Sequence, residues 1–194
     1  MIINTLTKKE LSLTKKESLK KGEVLFYEND VCNYIGIVNS GSLVISSSTF
    51  EGNEIIYNKL NKGDMFGNNL LFSKDNYYRG DVKAVSDSEV ILISKDNIIY
   101  LLQNNEEFLK EYLSIHSEFT KSLNTKIKLL SFTSAKERLL YFLFINNGHV
   151  TYKSITDLAR SIFLTREVTS RLVSSLEKEK IVIRNKHEIT LNNN

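Results

Sequence analysis

The chain is expected to be an α+β protein with three parts: an antiparallel β-rich half, one long helix, and a small helical domain closed by a hairpin. Three features predict this. Short β-branched and aromatic runs recur roughly every ten residues from Lys20 to Ser94, as in antiparallel barrels or sandwiches rather than βαβ units. Apolar residues then recur every three or four positions from Phe108 to Leu130, close to the helical period. The last third returns to short helical patterns and ends in two β runs around a polar turn.

In the first part the expected strands are VLFY (24–27), YIGIV (34–38), SLVISS (42–47), EIIYNKL (54–60), DVKAV (81–85) and EVILIS (89–94). Glu28-Asn29-Asp30, Asn39-Ser40-Gly41, Glu51-Gly52-Asn53 and Lys62-Gly63-Asp64 supply turn residues between them. After Ser94, Ile98, Ile99, Leu101 and Leu102 fit a short helix. Phe108, Tyr112, Ile115, Phe119, Leu123, Ile127 and Leu130 then mark one stripe of a helix of about 25 residues, roughly 37 Å long. The chain contains no proline, so nothing forces a kink. A helix longer than the β-rich half can cover is expected to pair with its copy in a second subunit.

In the last part, Leu139, Leu140, Phe142, Leu143 and Ile145 form an apolar helix stopped by Asn147-Gly148. Helices follow over 154–161 and 165–179, separated by Ile162-Phe163-Leu164. The run 181–191, folded about Asn185-Lys186-His187, makes the wing of a winged helix-turn-helix. The domains are therefore expected at 1–104, 105–133 and 134–194.

Composition excludes much. With 41% apolar and 25% charged residues, the 194-residue chain is an ordinary globular one. No run approaches the ~18 apolar residues of a membrane span, and no export signal is visible, so a cytoplasmic place is expected. The lone Cys32 cannot supply the four thiolates of an iron–sulfur cluster, and it is read as inert. His116, His149 and His187 fall in different elements without metal-ligand spacing. No metal, cofactor or catalytic group is expected. A barrel oxygenase would need histidines on residues 20–94, which have none.

Net charge is only +3, but it is unevenly divided. Residues 134–194 hold ten Lys/Arg against six Asp/Glu, while the rest of the chain holds sixteen against seventeen. The basic excess lies where a polyanion would be met.

The helix over 165–179 is expected to be capped by Thr165, with Leu164, Val168, Leu172 and Leu176 inward. Arg166, Glu167, Ser170 and Arg171 face outward near its N-terminus, the end that meets base edges in the major groove. Arginine can donate two parallel bonds to guanine, and glutamate can accept from cytosine. Thr165, Thr169 and the helix N-terminus are expected to meet phosphate. The alternative is that Glu167 and Arg171 form an ordinary surface pair, stabilising the helix by about 0.2–0.5 kcal/mol.

With KKGEVLFYEND (20–30), YIGIVNSGSLVIS (34–46), the glycine of EGNE (51–54), NKGDMFG (61–67) and Arg166-Glu167-x3-Arg171, the chain resembles the Crp/Fnr family of transcription regulators. The resemblance implies a cyclic-nucleotide-binding-like β-roll that senses an effector, a dimerisation helix, and a winged helix that reads a two-fold operator in double-stranded DNA. RNA polymerase is among the partners it implies. Effector-pocket candidates are Phe66, Gly67, Asn68, Asn69, Tyr78, Arg79 and Gly80. Two departures stand out. Members that bind cyclic AMP carry a glutamate after the Phe-Gly pair and an Arg-Ser pair further on. Here Asn68 stands for the glutamate, and the pair falls on Tyr78-Arg79 counted without gaps or on Arg79-Gly80 with a one-residue shift. The effector is therefore expected not to be cyclic AMP, the alternatives being a cyclic-nucleotide-responsive regulator or a small-molecule module that does not regulate DNA. Phe163 stands where the helix-turn-helix usually has glycine, and left-handed backbone there costs roughly 1–2 kcal/mol.

Overall fold

Eight short strands wrap the first half of the chain into two antiparallel sheets. The computed structural model describes residues 1–49, 51 and 53–192; Gly52, the glycine of EGNE, lies outside them. The chain divides into two compact units, Met1–Ile115 and His116–Asn194.

Unit one opens with a 3-10 turn, Ile2–Thr5, and the short helix α1, Lys8–Leu11. Its strands are β1 (Thr14–Leu19), β2 (Val24–Phe26), β3 (Tyr34–Ser40), β4 (Ser42–Ser48), β5 (Glu54–Asn61), β6 (Met65–Phe66), β7 (Asp81–Ala84) and β8 (Ser88–Ser94). They pair in the orders β1-β8-β3-β6 and β2-β7-β4-β5. Ile35, Ile37, Leu43, Val82, Val90 and Ile93 fill the space between the sheets and are fully or almost fully buried. At Gly36 a side chain is impossible: an added Cβ would lie 2.0 Å from Cζ of Phe66, its antiparallel partner. The glycine lets an aromatic ring lie flat across the neighbouring strand.

Helix α2 (Lys95–Asn104) starts at Ser94, whose side chain accepts from the Asn97 N–H. Ile98 and Leu101 are its buried residues. Asn105 caps α3 (Glu106–Ser131) through its Oδ1, which accepts from the Phe108 N–H at 2.9 Å. Phe108 and Tyr112 are buried in the core of unit one, with ring centroids 6.2 Å apart, and Ile115 packs against the same core. Further along, the stripe emerges. Phe119, Leu123, Ile127 and Leu130 are 40–64% exposed, while Leu129, on another side of the helix, is buried. One sequence stripe thus does two jobs: its first turns close a core and its last turns face outward.

The N-terminal arm is tied down by charge-assisted bonds. The Glu10 carboxylate accepts from N and Oγ1 of Thr7, both at 2.8 Å, and from Nδ2 of Asn105 at 3.0 Å. The Thr7 bonds hold its carboxyl below the ordinary value of 4.5. A lowered folded pKa contributes stability above the unfolded value, and that stability is lost as pH falls through the folded one. Glu10→Gln is therefore expected to melt below the parent at neutral pH, the gap closing in acid below 4.5. A pH series of thermal melts checks this.

Unit two holds the rest of α3 and α4 (Ala135–Ile145), β9 (His149–Thr151), α5 (Ile155–Ser161), α6 (Arg166–Lys178), β10 (Val182–Asn185) and β11 (Glu188–Leu191). Asn147 and Gly148 both take positive φ, and the Gly148 N–H donates to Leu143 O at 2.8 Å, ending α4 as the sequence predicts. The hairpin gains a third strand, in the order β10-β11-β9. Leu139, Leu143, Leu158, Ile162, Val173 and Ile189 form the core. Among the described residues no helix is long and apolar enough to cross a membrane.

Candidate nucleic-acid interface

Helix α6 follows α5 after a three-residue turn, Ile162–Leu164, then the cap residue Thr165. Oγ1 of Thr165 accepts from the Val168 N–H at 3.3 Å, leaving its own proton free for a partner outside the protein. Arg166, Glu167 and Arg171 are exposed and Ser170 is half-buried, and the four line a common groove of about 250 Å³. Among the described residues, no carboxylate lies within ion-pair distance of either guanidinium, and Glu167 does not pair with Arg171. The ordinary surface pair is not formed. Two cations and one anion stand unneutralised on the first two turns of a helix, at the positive end of its dipole.

Two expectations about α6 are corrected. Thr169, expected to meet phosphate, has 0% exposure, and its hydroxyl donates to the Thr165 carbonyl at 2.9 Å. Val168, expected inward, is exposed; the inward residues are Thr169, Val173 and Leu176, with Leu172 half-buried. The reason is geometric. Steps of four residues advance about 40° beyond a full turn, so the stripe 164-168-172-176 rotates across the helix, whereas 169-173-176 stays on one side.

The turn before α6 carries the strain foreseen in the sequence. Phe163 has φ +55 and is 40% exposed. Arg138 on α4 holds this turn in place: Nη1 donates to Phe163 O at 3.0 Å and Nη2 to Phe132 O at 2.7 Å. Charged bonds of this kind contribute about 1.5–3 kcal/mol each where shielded from water. Arg138→Met is expected to lower the stability of unit two by about 2 kcal/mol, read as an earlier unfolding transition in denaturant.

Sequence reasoning passed over a further pair of cations. Lys153, just before α5, and Lys186, at the hairpin tip, line one groove of about 570 Å³ with His187 and Glu188. No motif marks either lysine, and only the three-stranded pairing puts the tip beside the start of α5.

In unit one the expected pocket residues separate. Phe66 and Tyr78 are buried in the core; Tyr78 stacks on Phe26 with centroids 4.7 Å apart. Gly67 has φ +78, and a Cβ there would lie 2.6 Å from Tyr34 O. A Cβ on Gly80 would lie 2.7 Å from Ser46 O. In this structure Phe66 and Tyr78 are apolar filling, and Gly67 and Gly80 allow close backbone approach. Asn68 is half-buried and Asn69 exposed. Arg79 is exposed and ion-paired with Asp75, four residues earlier in the same loop. Cys32 is fully buried beside the carbonyls of Tyr34 and Gly67, and burial pushes its thiol up, away from the reactive thiolate.

Residues 16–105 match the family model of the cyclic nucleotide-binding domain. Relatives extend the likeness to both units. The HTH-type transcriptional regulator ArcR of Staphylococcus epidermidis is 26% identical over 191 residues, spanning 85% of this chain and 76% of that protein. The Anaerobic regulatory protein of Bacillus subtilis is 24% identical over 182 residues, spanning 88% and 76%. Across both units the chain is thus similar to transcription regulators of the Crp/Fnr type. Solved structures agree on the fold. A CooA variant from Carboxydothermus hydrogenoformans superposes with a TM-score of 0.65 at 19% identity, covering 100% of this chain and 91% of that one. The Catabolite Activator Protein of Thermus thermophilus gives 0.57 at 20%, covering 98% and 92%. Within this chain, the β-roll and the winged helix-turn-helix lie in the two units described above, and Arg166, Glu167 and Arg171 stand at the open end of α6.

Proposed function

We propose that the chain is a homodimeric, sequence-specific DNA-binding transcription regulator that reads a two-fold operator through the N-terminal turns of α6. The carrying observation is the exposed, unpaired trio Arg166, Glu167 and Arg171 on a capped helix N-terminus. Neutral surfaces do not maintain such a set: each charge is left for a partner that supplies both acceptors and donors, as base edges do. Ser170 and Thr165 add neutral donors for base or phosphate. Lys153 and Lys186 add sequence-independent phosphate contacts.

Dimer formation would proceed through the open stripe of α3. Leu123, Ile127 and Leu130 recur at the four- and three-residue steps of a coiled-coil seam, and they are exposed in the single chain. A seam of this kind supports the reading of α3 as a dimerisation element. Two copies of α6 would then meet half-sites about 34 Å apart, one turn of DNA. An activator of this design would also touch RNA polymerase. The β-roll is the sensor in this reading. Its ligand is not cyclic AMP, because Asn68 offers no carboxylate to a ribose and Arg79 is paired with Asp75 in the surface loop.

In-vitro selection of preferred duplexes, followed by footprinting, tests the function. Recovery of an inverted repeat with guanine and cytosine at fixed positions is expected. Lys153→Ala is expected to weaken binding to all duplexes alike and to flatten the salt dependence by about one phosphate contact. Selection that returns unrelated sequences would remove the reading.

A further inference from the structure

Unit two contains a second groove, of about 570 Å³, formed by the later turns of α3, by α4, and by the end of α5 with the turn that follows it. The volume lies within the range of small-molecule sites. Its floor is apolar: Leu129, Phe142 and Phe163. Its charged lining is three cations, Lys121, Lys126 and Arg160, and one carboxylate, Glu118. Lys121 has a distant partner in Glu118, at 3.7 Å; among the described residues, Lys126 and Arg160 have no ion-pair partner.

Two further observations bear on what the groove takes. Phe163 is an aromatic residue held in left-handed backbone, where glycine would be unstrained. It is partly exposed and lines the groove. Strain of that kind, at a residue that faces a cavity, is a pointer to a binding role. Most of the groove also lies away from the open stripe. Lys121, Thr125 and Leu129 each sit two residues, about 200°, from Leu123 or Ile127 around α3, while Lys126 lies about 40° from Leu130 at the edge of that stripe. Pairing through the stripe therefore leaves the α4 and α5 side of the groove open and places Lys126 at its border.

We infer that this groove binds a small amphipathic anion, an aromatic or alkyl body carrying one carboxylate or phosphate. The apolar floor takes the body and the unpaired Lys126 and Arg160 take the head. Because Phe163 lies in the turn that sets the entry of α6, an occupant would bear directly on how the reading helix is presented. That last consequence rests on the proposed function; the binding site does not.

The test uses the full chain labelled with nitrogen-15, titrated without DNA with 3-phenylpropionate, phenyl phosphate and the uncharged 3-phenylpropanamide. Amide shifts are expected to fall on 118–129, 142 and 160–163 for at least one of the two anions. The uncharged analogue is expected to bind at least about fivefold more weakly, and Lys126→Gln with Arg160→Gln to weaken the anion by about tenfold. Whichever anion binds more tightly identifies the head group. Lys178→Gln, a remote cation on α6, is expected to leave binding unchanged. Shifts located elsewhere, no shift at 10-millimolar concentrations of either anion (about 10 mM, the weak limit for such fragments), or equal binding by the double variant would each overturn the inference. A chain that bound the anion but selected no DNA would leave the groove standing and remove the proposed function instead.

Discussion

Arg166→Ala combined with Arg171→Ala is expected to abolish discrimination among duplexes while leaving the fold intact. Each well-formed bidentate contact to guanine discriminates by about 1–3 kcal/mol, which is roughly fivefold to 150-fold per residue. The two sites are more than one helical turn apart and share no protein partner, so their effects should add approximately. Stability should stay within about 0.5 kcal/mol of the parent, because neither guanidinium makes an ion pair or packs in the core. Non-specific binding through Lys153 and Lys186 should persist, with a shallower salt slope. Competition gel shifts with selected and scrambled duplexes, alongside a denaturant melt, separate the two effects. Loss of binding to every sequence with an early melt would mean damage to the fold; loss of preference alone is the expected result.

Leu123→Asp with Ile127→Asp is expected to yield a folded monomer. Both residues are exposed in the single chain, so a carboxylate at either position costs the protomer little. In a paired seam the same carboxylates would be taken from water without a counter-charge, at a cost of several kcal/mol. Sedimentation should show one chain where the parent shows two. DNA affinity should fall by about a hundredfold or more, because the second half-site is no longer held at high effective concentration. A parent that already sediments as one chain would contradict the seam.

These effects depend on residues of different legibility. The strands β3, β4 and β8 could be read directly because their apolar residues are buried by the fold and turn residues bracket them. β1 was invisible for the opposite reason. TKKESL carries two lysines and a glutamate, yet all six residues pair with β8; it is an edge strand whose charges face solvent, and the backbone ladder leaves no trace in side-chain type. β9 was hidden likewise, as a three-residue strand that exists only because β11 lies beside it. On α6 the outward set was legible because two arginines with a glutamate in the first two turns place cations at the positive end of the dipole, where they do not stabilise the helix. The inward set was displaced by one residue: a threonine can be buried when its hydroxyl bonds the carbonyl four residues back, and composition does not announce it. Around Phe66 and Tyr78 the packing was not legible: Tyr78 stacks on Phe26 with centroids 4.7 Å apart, and Gly67 and Gly80 leave no room for a Cβ. The Lys126–Arg160 groove could not be read at all, since its residues come from three elements spread over more than forty positions.

The most direct test of DNA reading is the ratio of affinities for the selected duplex and a scrambled one, measured at about 0.15 M salt for the parent and for Arg171→Ala. A ratio of about a thousand or more is expected for the parent, falling at least fivefold in the variant with little change in affinity for the scrambled duplex. A parent ratio near one, or an unchanged ratio in Arg171→Ala, would contradict DNA reading.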